Sequence, residues 1–390
     1  MKDLLSLTFI VVVFAVGDYI SAKTKSIVSM LFTCSVIFLV GFWLGVPTDI
    51  FESSHLLNIG ALLIMLLLTH MGTLLNLQQL KEQWKTVVVA VTGIIGIAVF
   101  LFLVGDFFIG RETAIIAAPP ISGGVIAGIK MGQAAEKIGR EDLQIMATLI
   151  VVVQGFLGYP IASIALKKVA KKVVEDRQMV TTTEEVVEKE KKKLLPPLPE
   201  HLRTANVYLA KTAIVASLAA AFSMYLNKLV GFQLLDQYIA ALLFGVIFSE
   251  IGFLEKEVLI KANSFGFGMA ALLVVIFSSL TKATPEVVLE LLPKMGTALI
   301  LGVIGIAIAS LITSKVLKMP FLMALAIGVS ALFGFPGTFV VSNEVALAVA
   351  TNEVERKAIL DAILPKMLVA GFITVSIGSV VLAGIMANLL

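Results

Sequence analysis

The chain has 390 residues, 58% of them hydrophobic and 15% charged, with a mean hydropathy of +1.01. Soluble globular proteins carry about 25% charge and about 45–50% apolar residues, so an ordinary soluble enzyme, a disordered chain and a nucleic-acid-binding domain are excluded. The net charge of +3 is too small to argue for a polyanionic partner, the lone Cys34 excludes a disulfide framework, and His55, His70 and His201 show no metal-ligand spacing.

What remains is a polytopic membrane protein. A membrane-crossing helix needs about 20 apolar residues. In chain order the first half offers spans at 4–20, 27–46, 55–75, 86–108 and 143–166, and the second half at 207–226, 234–253, 264–280, 295–317 and 358–382. Backbone groups in hydrocarbon must be satisfied within the segment, and these runs do not alternate in polarity, so helices are predicted rather than barrel strands. The first span has the length of a signal peptide, but the internal repeat below supplies it with a partner. Asp18 and His70 fall inside spans and read as packing or interfacial polar residues.

Two further apolar stretches are broken in the middle. Residues 113–129, between Glu112 and Lys130, contain Pro119, Pro120, Gly123 and Gly124; residues 319–343 contain Gly334, Pro336 and Gly337. Proline removes a backbone donor and glycine loosens the helix. Each stretch is predicted to be a re-entrant hairpin, at about 112–137 and about 319–351. A kinked helix that crosses fully is the other reading, above all for the longer second stretch.

Residues 167–204 form a charged linker between an N-terminal repeat (1–166) and a C-terminal repeat (205–390). Ten basic and seven acidic side chains lie there, with Pro196, Pro197 and Pro199. Positive-inside bias places it in the cytoplasm, and with two hairpins both termini then lie outside. Trp43 and Trp84 fall near opposite interfaces.

The two halves align in order. The run GIIGIAV from Gly93 matches GVIGIAI from Gly302, and Ser35–Trp43 resembles Gly245–Leu254 with one insertion. Gly124 pairs with Gly337 and Gly158 with Gly371. Each half has five crossings and one hairpin, and an odd number of crossings inverts one half relative to the other. Inverted repeats with discontinuous elements near mid-depth are the signature of secondary transporters.

The predicted tips are Pro119-Pro120-Ile121-Ser122-Gly123-Gly124 and Phe333-Gly334-Phe335-Pro336-Gly337-Thr338. The helix N-terminus after each tip presents partial positive charge, which suits a carboxylate, and freed carbonyls with hydroxyls suit sodium. Ser122, Gly123, Gly124, Gly337, Thr338 and Lys366 are the predicted substrate-binding residues. Ser342, Asn343, Glu344 and Asp361 are the predicted cation-binding residues. Lys366 stands about ten residues into the last span, where charge is expensive and usually functional. A structural ion pair of Lys366 with Asp361 or Glu344, and tip glycines that only permit close packing, are the plainer readings of the same residues.

With two five-helix halves, a large linker, external termini and oppositely entering glycine-rich hairpins, the sequence resembles the glutamate:sodium symporter family and its structural relatives, the 2-hydroxycarboxylate symporters. Ser122-Gly123-Gly124-Val125 keeps the paired glycines of that family's GGxG-type tip. Gly334-Phe335-Pro336-Gly337-Thr338 keeps the outer glycines and the threonine of a GGHGT-like pattern. The resemblance implies sodium coupling, a small anionic substrate (glutamate-like or a dicarboxylate), a cell-membrane location, and a homodimer working by an elevator-like movement. No cofactor beyond the coupling ion is expected. A cation/proton antiporter without organic substrate is the alternative, motivated by Glu344, Asp361 and Lys366. An enzyme is not expected, because no nucleophile elbow or metal-binding histidine pair is present in any span.

Overall fold

The structure is a computed structural model that describes residues 1–74, 83–180, 194–196, 198–231, 234–235 and 237–390. The linker residues 181–193, and all but the end of an amphipathic stretch predicted at 77–85, lie outside the described residues. Every regular element among the described residues is a helix.

From the N-terminus, α1 (Lys2–Lys23) leads through two left-handed residues, Lys25 and Ser26, into α2 (Met30–Trp43), whose N-cap Ser29 accepts a bond from the Phe32 amide at 3.1 Å. The four-residue α3 (Ile50–Ser53), then α4 (Leu56–Thr73) and α5 (Trp84–Ile109) follow, and α5 contains a π turn at Leu101–Gly105. Helices α6 (Arg111–Ile121) and α7 (Val125–Lys137) are separated by Ser122, Gly123 and Gly124, while only Gln154 separates α8 (Glu141–Val153) from α9 (Gly155–Val180). The second half has α10 (Ala205–Val230), α11 (Gln237–Glu250), the short α12 (Val258–Lys261), α13 (Phe265–Phe277) and α14 (Pro285–Leu317). It closes with α15 (Phe321–Val329), a 3₁₀ turn at Ser330–Leu332, α16 (Gly334–Val349), α17 (Glu353–Ile373), a π turn at Thr374–Gly378 and α18 (Ser379–Ala387).

Six helical stretches among the described residues are long and apolar enough to cross a membrane: Lys2–Lys23, Leu56–Thr73, Trp84–Ile109, Glu141–Asp176, Ala205–Val230 and Val288–Leu317. The chain is thus an all-α, membrane-embedded protein. Ten spans were expected. Those at 27–46, 234–253 and 264–280 are helices of 14, 14 and 13 residues, because turns at Gly45 (φ 100°) and Gly252 (φ 92°) end the first two. Such helices measure about 20 Å against a hydrocarbon core of about 30 Å. The span at 358–382 begins in α17 and runs on through the π turn. Helix α9 continues into the predicted linker as far as Val180, since no glycine or proline follows Pro160 within it and lysine, alanine and glutamate favour helix.

The chain forms two compact units. Unit one comprises Met1–Thr8, Asp49–Glu82 and Thr182–Ser278; unit two comprises Phe9–Thr48, Gln83–Thr181 and Ser279–Leu390. In unit one, α4 packs against both α11 and α13, and α10 lies on α11. Small residues set these distances: a Cβ added at Gly72 would lie 2.7 Å from the Gly245 Cα, and one at Gly60 would lie 2.6 Å from the carbonyl carbon of Ala271. His70 is fully buried here; its Nδ1 accepts the Leu259 amide at 3.2 Å and its ring lies 4.9 Å from Phe265, a packing role for that span residue. Lys211 bonds both oxygens of Glu255 at 2.8 and 3.0 Å. At the start of the chain Lys2 pairs with Asp49 at 2.5 Å, and this hydrogen bond holds the Asp49 carboxyl below its ordinary range.

In unit two, α5 and α14 cross where Gly96 meets Gly305; a Cβ on Gly96 would lie 2.5 Å from the Gly305 carbonyl oxygen. Helix α16 packs along α17, and α9 touches both α15 and α16.

Gly245→Ala is expected to cost about 1–3 kcal/mol through overpacking against α4. Gly266→Ala, in the same unit with open space around it, should be neutral or stabilising by up to about 1 kcal/mol. Melting temperatures of the two variants purified in detergent check the difference.

Candidate functional site

The site residues lie in unit two, around two breaks in the helical backbone. The first break follows from two prolines in the last turn of α6. Pro119 and Pro120 bring no amide hydrogens, and the chain leaves the helix with the Ser122 amide bonded to Ala118 and Pro119 and the Gly123 amide bonded to Pro120, each at 3.1 Å. Ser122 is fully buried and its hydroxyl donates to the Pro119 carbonyl at 2.7 Å, so it caps the arm. Gly123 and Gly124 then take φ of 105° and 92°, which side chains rarely adopt. Contact requires glycine as well: a Cβ on Gly123 would lie 2.5 Å from the Ala331 carbonyl oxygen, and one on Gly124 would lie 2.9 Å from Ser379 Oγ.

The outer ends of α6 and α7 are joined by charge. Arg140, just beyond α7, bonds Glu112 in the first turn of α6 and holds Asp142 at 2.9 Å; Lys294 stands 3.6 Å from the same Asp142. The bonds to Asp142 and Glu112 raise the Arg140 pKa still further.

The second break runs from the 3₁₀ turn at Ser330 to Gly337. Gly334 has φ of 55° and Phe335 is extended, so the regular helix of α16 begins at the cis-linked Pro336. Thr338, in its first turn, is fully buried and its hydroxyl oxygen has no hydrogen-bond partner among the described residues. Two glycines make room for this tip. An added Cβ on Gly371 of α17 would lie 2.9 Å from Thr338 Oγ1, and one on Gly158 of α9 would lie 2.7 Å from the Phe333 ring. Tyr159 packs on Phe333 with centroids 4.9 Å apart, and Phe335 stacks on Phe372 at 5.0 Å. One turn before Gly158, the break between α8 and α9 places Gln154, whose buried Oε1 is also unpartnered.

Both tips converge on the π turn at Thr374–Gly378. A Cβ on Gly123 would sit 3.5 Å from the Val375 Cα, and one on Gly334 would sit 3.1 Å from Val375 Cγ1. A π turn widens a helix by one residue and frees backbone groups locally.

The predicted residues therefore sort into distinct places. Ser122, Gly123, Gly124, Gly337 and Thr338 belong to the two tips. Ser342 and Asn343 follow on α16 but bond their own helix, to the carbonyls of Thr338 at 2.6 Å and Phe339 at 2.9 Å. Glu344 points elsewhere: its Oε1 accepts the Met30 amide at 2.7 Å and its carbonyl accepts the Ser26 hydroxyl at 2.8 Å, so it caps α2. Its Oε2 is buried and has no hydrogen-bond partner by geometry among the described residues. Lys366 donates to the Ala362 carbonyl at 2.7 Å, back along α17 and away from Gly371. Asp361 is exposed on the same helix. Sequence reasoning did not find Val375 and its π turn, which carry no residue signature. Gly158 and Gly371 were visible only as a repeat-related pair. Among the described residues, no group of three His, Cys, Asp or Glu side chains is placed to hold a metal ion.

Gly123→Ala is expected to destabilise by about 1–3 kcal/mol. Gly110→Ala, which also has positive φ (79°) but open space around it, isolates the conformational part of that cost. Thermal unfolding of both variants in detergent should show the larger loss at Gly123. No protein-family model matches the chain, and no curated protein matches it.

Proposed function

We propose that this chain is a secondary active transporter, a sodium-coupled symporter of a small organic anion or amino acid that works by an elevator-type movement. The observation that carries the reading is the meeting of two glycine-bearing helix breaks at one π turn, beside buried oxygen acceptors on Thr338 and Gln154 that lack partners. Orphaned buried oxygens are costly unless a partner arrives, and a sodium ion is such a partner. The first amides of a helix have no partner within it, and those following the tips offer donors to a carboxylate.

The order of elements is the second support, and it favours an inverted repeat. The two halves present their elements in the same order: a long helix, a 14-residue helix, a four-residue helix, a shorter apolar helix, a long helix, then a broken pair. Gly96 and Gly305, equivalent in the sequence alignment of the halves, face one another at the α5–α14 crossing. Equivalent residues face each other when a two-fold axis passes between them. The pairing of Arg140 with Glu112 favours arms of the first break that start and finish on one side, as a re-entrant hairpin requires. We assign Lys366 to the substrate carboxylate, which requires its ammonium to turn from the Ala362 carbonyl it now bonds; it lies about 7.5 Å along α17 from Gly371. A homodimer in the cell membrane with both termini outside completes the reading.

Reconstituted protein should take up an acidic amino acid or a dicarboxylate when a sodium gradient is imposed. Thr338→Val should raise the sodium concentration for half-maximal uptake about tenfold, the equivalent of about 1.4 kcal/mol. Gradient-independent uptake, or no uptake across a panel of such anions, overturns the proposal.

A second reading, cation/proton antiport, rests on Glu344. A proton or a cation at the buried Glu344 Oε2 would supply the partner that this oxygen lacks among the described residues. Under that reading a sodium gradient drives a pH change in vesicles without organic substrate, and Glu344→Gln abolishes it.

A further inference from the structure

Away from the helix breaks, unit two contains a cavity of about 480 Å³ lined by Lys25, Lys167, Lys171, Glu175, Val174 and the end of α16 at Ala348 and Val349. We infer that it binds a phosphate-bearing anion, supplied either by an anionic lipid headgroup or by free phosphate.

Three ammonium groups and one carboxylate line the space, so its walls carry a net positive charge. Lys171 and Lys25 are close enough to act on Lys167 as like charges. None of the three makes a salt bridge among the described residues, and Lys167 uses one donor on the Lys25 carbonyl at 2.5 Å. Among the described lining residues Glu175 is the one carboxylate against three cations, and lysine is a point-charge ligand suited to phosphate. Lys25 is held in place because its own φ is 51°, the next residue Ser26 is also left-handed, and the Ser26 carbonyl accepts the Ser163 hydroxyl from α9.

The size falls within the range of small-molecule sites. The wall is mixed, with Val174, Ala348 and Val349 lining it beside the charged residues, which fits a charged head on an apolar stem. Position points the same way. On α9 the apolar run ends at Leu166 and the lysines begin at Lys167, the level at which headgroups meet a membrane helix. The inference does not depend on transport; it would stand for any membrane protein with this cavity.

The test uses the full chain purified in detergent and its melting temperature. Three additions are compared: phosphatidylglycerol, phosphatidylcholine and inorganic phosphate. Lys167→Gln/Lys171→Gln removes two of the lining charges. Lys168→Gln/Lys172→Gln removes the same charge from exposed positions of the same helix that do not line the cavity. Stabilisation by phosphatidylglycerol beyond phosphatidylcholine, falling by more than half in the first variant and kept in the second, assigns a lipid headgroup. The same pattern with inorganic phosphate assigns the soluble anion. No stabilisation by either, or equal loss in both variants, overturns the inference.

Discussion

Backbone amides and carbonyls that lose their helical partners inside an apolar chain have no water to bond. Each interruption must therefore be buried against other protein, and much of unit two can be understood as the packing that makes this tolerable. The interruptions at Ser122–Gly124, at Gln154, at Ser330–Gly337 and at Thr374–Gly378 lie against one another, not against the surface. Gly123 touches the carbonyl of Ala331, Gly334 touches Val375, and Gly158 and Gly371 hold the second tip from two sides. A Cβ at any of these positions would push one break away from the next.

Close packing also explains how the polar side chains are used. Ser122, Ser330, Ser342 and Thr374 all donate to carbonyls three or four residues back on their own chain. Such bonds satisfy a hydroxyl locally and bend helices slightly. Thr338 and Gln154 are different, because their oxygens are buried with no hydrogen-bond partner among the described residues. That contrast, more than the number of polar residues, separates atoms available to a ligand from atoms already committed to the fold. Glu344 shows a third use, holding the first amide of α2 with one oxygen while the other remains buried.

Much of this was legible in the chain itself. Pro119-Pro120 and Gly123-Gly124 together announced a break, because two missing amide donors followed by two glycines weaken a helix at one place. Gly96 and Gly305, paired in the sequence, meet in the structure because a close helix crossing needs small residues. Charged residues were less legible. Lys366, Asp361 and Glu344 stand close in sequence order to the second tip, yet Lys366 bonds back to Ala362 and Glu344 turns to α2. Sequence spacing along a helix gives height and face, not the neighbour that a long side chain selects. The length of α9 was also missed, because a run of lysines was read as linker although the same residues are good helix formers.

Composition alone determined that the protein is helical and membrane-embedded, since an apolar chain with so few charges can satisfy its backbone in no other way without alternating strands. Local chemistry marked two of the breaks, at Gly123-Gly124 and at Gly334–Gly337, but not those at Gln154 and Thr374–Gly378. Tertiary structure decided that the breaks meet at Val375, that Thr338 and Gln154 keep oxygens without a partner among the described residues, and that Lys25 shares one cavity with Lys167 and Lys171. Those outcomes depend on which helix packs beside which, and that is set by shape complementarity between segments far apart in the chain, where no residue-by-residue pattern reaches.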